Sequence, residues 1–217
     1  MKERPILFSG PMVRAILDGT KSQTRRVVRP QPPAGWHRPC VGDDGVASGY
    51  CDSDPTNERR CPYGAPGERL YVKETCWIWG RWTLNGVTTT GRQRWRFRAE
   101  PEHRVRFDRP EQTARRESPQ PGFDGLPGWV YRHARFMPRW ASRITLEVVS
   151  VRVERVQEIG EMDCYAEGRP LTDEMDPVSR PGAAWFRDIW DTINSKRDFG
   201  WDANPWVWVV EFRRVAT

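Results

Sequence analysis

Arginine and aromatic residues alternate along residues 92–98 of this 217-residue chain. Arg94, Arg96 and Arg98 recur at every second position, with Trp95 between the first two. A period of two predicts a strand that carries its arginines on one face. Guanidinium groups bind phosphate and aromatic rings stack on bases, a combination that suits single-stranded RNA. A charged edge strand, kept soluble by its arginines, would show the same pattern, and the sequence leaves both interpretations open.

A second group of polar residues, at 20–26, lies where a helix is expected to turn into a strand. Residues 11–18 predict the helix and Gly19 its end, while the β-branched residues that follow 26 predict the strand. This helix-to-strand corner carries Lys21, Thr24, Arg25 and Arg26. Further along, residues 67–79 alternate as a strand does, and Glu74 would share the inward face with Leu70 and Val72.

Four metal-ligating residue types occur between positions 37 and 61. They are His37, Cys40, Cys51 and Cys61, separated by 2, 10 and 9 residues. Four such ligands could form a small structural zinc site. Zinc knuckles have two tight pairs of ligands, so isolated reduced thiols in a loop are the competing interpretation. We expect no other metal or cofactor.

The elements that position these residues indicate the α+β class. Residues 144–156 predict a long strand with a register change near Ser150, 158–167 and 183–194 predict helices, and 205–215 predict a buried closing strand. Residues 29–66 and 100–128 are rich in Pro and Gly and are expected to be long loop insertions. Short strands without βαβ alternation favour a small, strongly bent sheet or barrel in a single domain over 1–217.

Composition favours a globular protein with an anionic partner. Hydrophobic residues make up 37% and charged residues 29%, the mean hydropathy is -0.77, and 12 Trp supply core volume. The formal charge of +6 and the pI near 9.3 suit polyanions such as nucleic acid. No stretch has the roughly 18 apolar residues of a membrane span, and no signal sequence is recognisable, so we expect no membrane partner and a cytoplasmic location.

Several segments resemble the ASCH family. Residues 16–26, Ile-Leu-Asp-Gly-Thr-Lys-Ser-Gln-Thr-Arg-Arg, are similar to its helix-end signature, and 67–74, Gly-Glu-Arg-Leu-Tyr-Val-Lys-Glu, to its following strand. Residues 137–148 resemble its central strand, and the Trp-rich C-terminal segments resemble relatives often found in phages and prophages. The resemblance covers most ordered segments but neither insertion. It implies a PUA-like small β-barrel with flanking helices that recognises nucleotides or RNA.

The resemblance also implies a chemistry. Some small bacterial relatives are amidohydrolases that remove acetate from N4-acetylcytidine, and the residues they use correspond to Lys21, Thr24 and Glu74. Thr24 would attack the acetyl carbonyl, Lys21 would take its proton, and Glu74 would position the substrate or protonate the leaving amine. Lys21 must then be largely neutral, which requires burial or nearby cations such as Arg25, Arg26 or Lys73.

Two other functions use the same residues. In a non-catalytic reader of RNA or nucleotides, Glu74 would accept from the exocyclic amine of cytosine while Lys21 and Arg25 hold phosphate or carbonyl oxygen. In a metal-independent ribonuclease, Lys21, Glu74 and Arg26 would supply the base, the acid and the cation. The expected partner is accordingly a modified nucleoside or single-stranded RNA.

Overall fold

A computed structural model describes residues 3–50, 58–110, 126–170 and 182–215 of the chain. The fold is α+β with mostly strands and few helices, which confirms the predicted class. The chain forms two compact units. The first contains Met1–Ile6, Pro11–Tyr71 and Ile144–Thr217, and the second contains Leu7–Gly10 and Val72–Arg143. No helix in the described ranges is both long and apolar enough to cross a membrane.

A five-stranded sheet with three helices dominates the first unit. Its strand order is β1-β6-β11-β12-β2, and the last residues of β1 and β6 belong to the second unit. The strands are β1 (Glu3–Leu7), β2 (Gln23–Val27), β6 (Arg69–Lys73), β11 (Thr145–Arg155) and β12 (Trp206–Val215). The helices are α1 (Gly10–Leu17), α2 (Glu161–Ala166) and α3 (Gly182–Asn194).

The longest strand pair of this sheet is formed by β11 and β12. The two strands pair antiparallel from Thr145↔Val215 to Arg155↔Trp206, with the predicted register change between Val148 and Ser150. The extra residue is a β-bulge, which bends the strand. Every residue from Trp206 to Val210 is buried, which confirms the predicted buried closing strand. Against it pack Phe186 and Trp190 of α3.

The first predicted loop contains regular structure. Strands β3 (His37–Val41), β4 (Val46–Tyr50) and β5 (Glu58–Arg60) form a three-stranded antiparallel sheet within the first unit. The prediction of a loop over 29–66 differs from this result because it rested on Pro and Gly content alone. Gly45, with φ of 74°, turns β3 into β4, and buried Trp36 packs edge-on against Trp206 with ring centroids 4.9 Å apart.

An antiparallel sheet of the order β10-β7-β8 makes up most of the second unit, with β9 also pairing with β7. Its strands are β7 (Cys76–Val87), β8 (Gln93–Ala99), β9 (Val105–Arg106) and β10 (Gly128–Arg132). One face packs on a cluster that contains Cys76, Ile78, Met137 and Ala141. Residues 111–125, the centre of the second predicted loop, lie outside the described residues.

The sheets of the described residues do not close into a barrel. In the five-stranded sheet, β1 and β2 are the two edges, so the order is open where the sequence predicted closure. The predicted strand 67–79 is also divided. It forms β6 and β7, and Glu74 lies in the short connection between them.

Candidate functional site

The corner between α1 and β2 positions Lys21. Gly19 adopts a φ of 77°, in the region that favours glycine, and ends the helix. The backbone N–H groups of Thr20 and Lys21 then both donate to the carbonyl of Ala15, at 2.9 and 3.1 Å. This turn brings Lys21 beside Glu167, with which it forms an isolated antiparallel bridge.

The Lys21 amine is enclosed by Glu167. Its Nζ donates to Oε2 of Glu167 at 2.6 Å and to the backbone carbonyl of the same residue at 2.7 Å. The two side chains are 0% and 4% exposed. Burial lowers the pKa of Lys21, Glu167 works against that shift, and the nearby Arg26 and Arg25 lower it further. A buried amine with a lowered pKa is the property that the predicted general base requires.

Gly168 allows this close approach. Its φ is 97°, and a Cβ built on it would lie 3.2 Å from Cβ of Ala15 and 3.3 Å from Cβ of Lys21. The backbone conformation therefore favours glycine at this position, and a Cβ would also require its neighbours to shift by a few tenths of an ångström. The residue fixes the end of α2 against the corner and so holds Glu167 next to Lys21.

A network of ion pairs surrounds the corner, with Arg25 at its centre. The buried Arg25 contacts Glu154 and Asp163, the latter at 2.8 Å, and its Nη1 lies 3.5 Å from Oε1 of Glu167. Arg152 contacts the same two carboxylates. Burial acts to raise the pKa of Asp163, but the two arginines outweigh it and the pKa is lowered. The network fixes the guanidinium of Arg25 within the protein.

Thr24 lies on β2, opposite Val210 of β12, and is buried. Because side chains alternate along a strand, Thr24 and Arg26 point to the face of β2 opposite to that of Gln23 and Arg25. Lys21 and Thr24 are thus close in sequence and belong to the same unit, but Thr24 is on the other face of the strand from the ion-pair network.

A cavity of about 430 Å³ borders the corner. Thr20, Glu167 and Gly168, which flank Lys21 in sequence or contact it, are among its lining residues. The remaining walls come mainly from α1 and α3 and are mostly apolar, with Trp185, Phe186 and Ile189 on the α3 side. Neither Lys21 nor Thr24 is among the lining residues. Cavities of a few hundred Å³ with apolar walls and few polar groups are typical of small-molecule sites.

Glu74 and Lys73 belong to the second unit. Both carboxylate oxygens of Glu74 accept from Arg143, each at 2.9 Å, and the carboxylate is 8% exposed. The residue is buried, as its predicted alignment with Leu70 and Val72 required. Lys73 is half-buried, and its Nζ donates to the carbonyl of Arg135 at 2.5 Å. In contrast to the prediction, Glu74 is in a connection between strands.

The sheet of the second unit has one face of arginine and tryptophan. Residues directly opposite in an antiparallel pair share a face, and Trp79 is opposite Trp129 while Arg81 is opposite Arg98. We call this surface the arginine–tryptophan face. Its residues are Trp79, Arg81, Arg96, Arg98, Arg106 and Trp129.

Arg96 and Arg98 of the predicted arginine row are therefore on this face, whereas Arg94 lies at a register shift of the β7–β8 pair. Arg94, Arg96 and Arg98 are all exposed. Trp95, predicted to act with them, is half-buried on the opposite side of β8, where it pairs in register with Leu84. Because side chains alternate along β8, Trp95 is on the opposite face from these arginines. The rings that share their face are Trp79 of β7 and Trp129 of β10.

The predicted zinc ligands are only partly described. His37 and Cys40 are exposed, Cys61 is buried, and Cys51 lies outside the described residues. Within the described ranges no group of three His, Cys, Asp or Glu side chains could hold a metal ion. Burial raises the pKa of the Cys61 thiol to about 11, whereas zinc binds the thiolate.

The sequence prediction missed the carboxylates around Lys21. Asp163 and Glu167 are four residues apart in the predicted helix 158–167, a spacing that puts both on one helix face. Arg152 and Glu154 occupy alternate positions of one strand. These spacings were a usable signal for two charged faces, although nothing in the sequence pairs them with Lys21 or Arg25.

Comparisons of the chain with protein-family models, with curated proteins and with solved structures find no significant match.

Proposed function

We propose that this protein is a nucleoside-directed amidohydrolase that deacylates N4-acetylcytidine or a related acylated cytosine, with a PUA-like ancestry for its fold. The observation that carries the proposal is the buried Lys21 amine, whose pKa is lowered beside a cavity of about 430 Å³. Cavities with convergent polar groups and a perturbed pKa are the general signature of active sites. The resemblance to the ASCH family supplies the reaction.

In this mechanism Thr24 Oγ1 attacks the acetyl carbonyl while neutral Lys21 takes the hydroxyl proton. The C–N bond breaks, the cytosine amine leaves with the proton that Lys21 has taken, and acetyl-Thr24 remains. Water then hydrolyses this ester, which releases acetate and restores the hydroxyl. Trp185 and Phe186, in the cavity wall, suit stacking on a flat base.

Turnover of N4-acetylcytidine to cytidine, followed by chromatography, tests the proposal. Thr24→Ala should abolish turnover, whereas Thr192→Ala, a matched change at an exposed residue of α3 outside the cavity lining, should leave it nearly intact. The rate should rise with pH on a limb set by Lys21, below the ordinary pKa of an amine. Absence of cytidine at high concentrations of folded protein would refute the proposal.

A non-catalytic nucleotide or RNA reader is the second candidate. Two observations favour it: the Lys21 amine is held by Glu167, and Thr24 lies on the face of β2 opposite to that of Arg25. The reader predicts that cytidine binds by calorimetry, that Thr24→Ala binds it equally, and that neither protein releases acetate. Loss of turnover with retained binding in Thr24→Ala would instead favour the hydrolase.

A further inference from the structure

The positive charge of the chain is concentrated in the second unit. Residues 72–143 contain 15 Lys and Arg against 7 Asp and Glu, a formal charge of +8, although the whole chain carries only +6. The rest of the chain is therefore slightly acidic. A basic charge confined to one unit is the electrostatic signature of a polyanion-binding surface.

Aromatic rings lie among these arginines on the sheet. Trp79 and Trp129 contact each other edge to face, with ring centroids 5.4 Å apart, and both are half-buried. The guanidinium of Arg104 lies 4.4 Å from the ring centroid of Trp79, and that of Arg106 lies 5.9 Å from Trp129. Partly exposed indole rings and guanidinium planes are the groups on which unpaired bases stack.

Two of the four arginines of the face have no carboxylate partner among the described residues. Arg81 pairs with Glu100 at 2.6 Å and Arg106 with Asp108 at 3.4 Å. Among the residues that the structure describes, Arg96 and Arg98 form no ion pair, and Arg98 lies directly across from the like-charged Arg81. Like charges opposite each other on a sheet are unfavourable, so a bound anion would stabilise this arrangement.

We propose that the arginine–tryptophan face binds single-stranded nucleic acid, with phosphates on Arg96 and Arg98 and bases against the rings of Trp79 and Trp129. A duplex would satisfy the arginines but not the rings, because its bases are stacked on one another. This inference is independent of the hydrolase proposal, since nucleoside turnover and strand binding are measured separately on variants of different units.

Fluorescence anisotropy with a labelled single-stranded RNA of about 15 nucleotides tests the inference. Trp129→Ala should weaken binding about tenfold, because one stacked base is lost, and Trp129→Phe should retain most of the affinity. Replacing Arg96 and Arg98 together by Ala should reduce the slope of log K against log salt by about 1.4. Arg197→Ala, an exposed arginine of the first unit, is the matched control and should change neither quantity.

Further ligands separate stacking from charge. DNA of the same sequence should bind with similar affinity, because stacking and phosphate contacts do not depend on the sugar. The matching duplex and a heparin fragment of similar charge should bind at least about tenfold more weakly. Equal affinity for strand, duplex and heparin, or unchanged binding by Trp129→Ala, would overturn the inference.

Discussion

Replacing Glu167 by Gln should destabilise the protein strongly and in a pH-dependent manner. The change removes the negative charge beside Nζ of Lys21 but keeps the shape of the side chain. With 0% exposure, the Lys21 side chain cannot exchange the lost partner for water. Removing one partner of a buried ion pair costs about 3–5 kcal/mol. Arg25 loses its 3.5 Å contact with Glu167 but keeps its closer contacts with Glu154 and Asp163, so most of the loss falls on Lys21.

Deprotonation of Lys21 in the variant sets an upper limit on the part of the loss that comes from this residue. In the variant Lys21 can give up its proton, at a cost of about 1.4 kcal/mol for each pH unit below an ordinary amine pKa of about 10.4. The limit is therefore about 4.6 kcal/mol at pH 7 and under about 1 kcal/mol at pH 10. The folded-state pKa lies below the unfolded one, so the folded state binds fewer protons and the variant regains stability as pH rises.

Urea denaturation of wild type and variant at pH 7 and pH 10 measures the difference. We expect a loss of more than about 1 and at most about 4.6 kcal/mol at pH 7, smaller the further the pKa of Lys21 is already lowered in the wild type, and a loss below about 1 kcal/mol at pH 10. The control Glu211→Gln weakens a partly exposed pair with Arg152 and should cost at most about 1 kcal/mol at either pH. A small loss at pH 7, or one that does not change with pH, would refute the assignment of Lys21 as a buried amine that depends on Glu167.

Two further substitutions and one chemical modification test other buried groups. Arg143→Ala removes both donors to the buried Glu74 carboxylate and should cost about 2–3 kcal/mol by urea denaturation; a loss below about 0.5 kcal/mol would show the pair to be solvated. Gly168→Ala should lower stability by about 1–3 kcal/mol, because the new Cβ meets both strain and crowding; an unchanged melting temperature would contradict this. At pH 8, iodoacetamide should modify exposed Cys40 much faster than three buried thiols whose pKa values are about 11. Mass spectrometry measures the rates, and equal rates would contradict the burial of these thiols. These thiols are Cys61, Cys76 and Cys164.

Local periodicity predicted those elements whose pattern arises from one buried face. The bulge near Ser150 and the buried strand from Trp206 follow from alternation, and the helix that contains Trp190 follows from its apolar stripe. Ile193, near the end of the same helix, is 42% exposed.

Long-range partners could not be read from the sequence. Lys21 and Glu167 are 146 residues apart, and no local sequence pattern around either residue identifies the other as its partner. The same limit applies to Glu74, whose burial the alternation predicted but whose partner Arg143 it did not. The sheet β3-β4-β5 was missed for another reason. Its Gly and Pro residues indicate turns, and the strands between these turns are too short to show a clear alternation.

The position of β12 has a consequence for synthesis of the chain. Among the strands that the structure describes, β2 has β12 as its only neighbour in the five-stranded sheet, and residues 206–215 are translated long after 23–27. Until β12 has been synthesised, β2, which carries Thr24 and Arg25, lacks the strand with which it pairs. Such a non-local pairing predicts that β2 joins the sheet late in folding, once β12 is available.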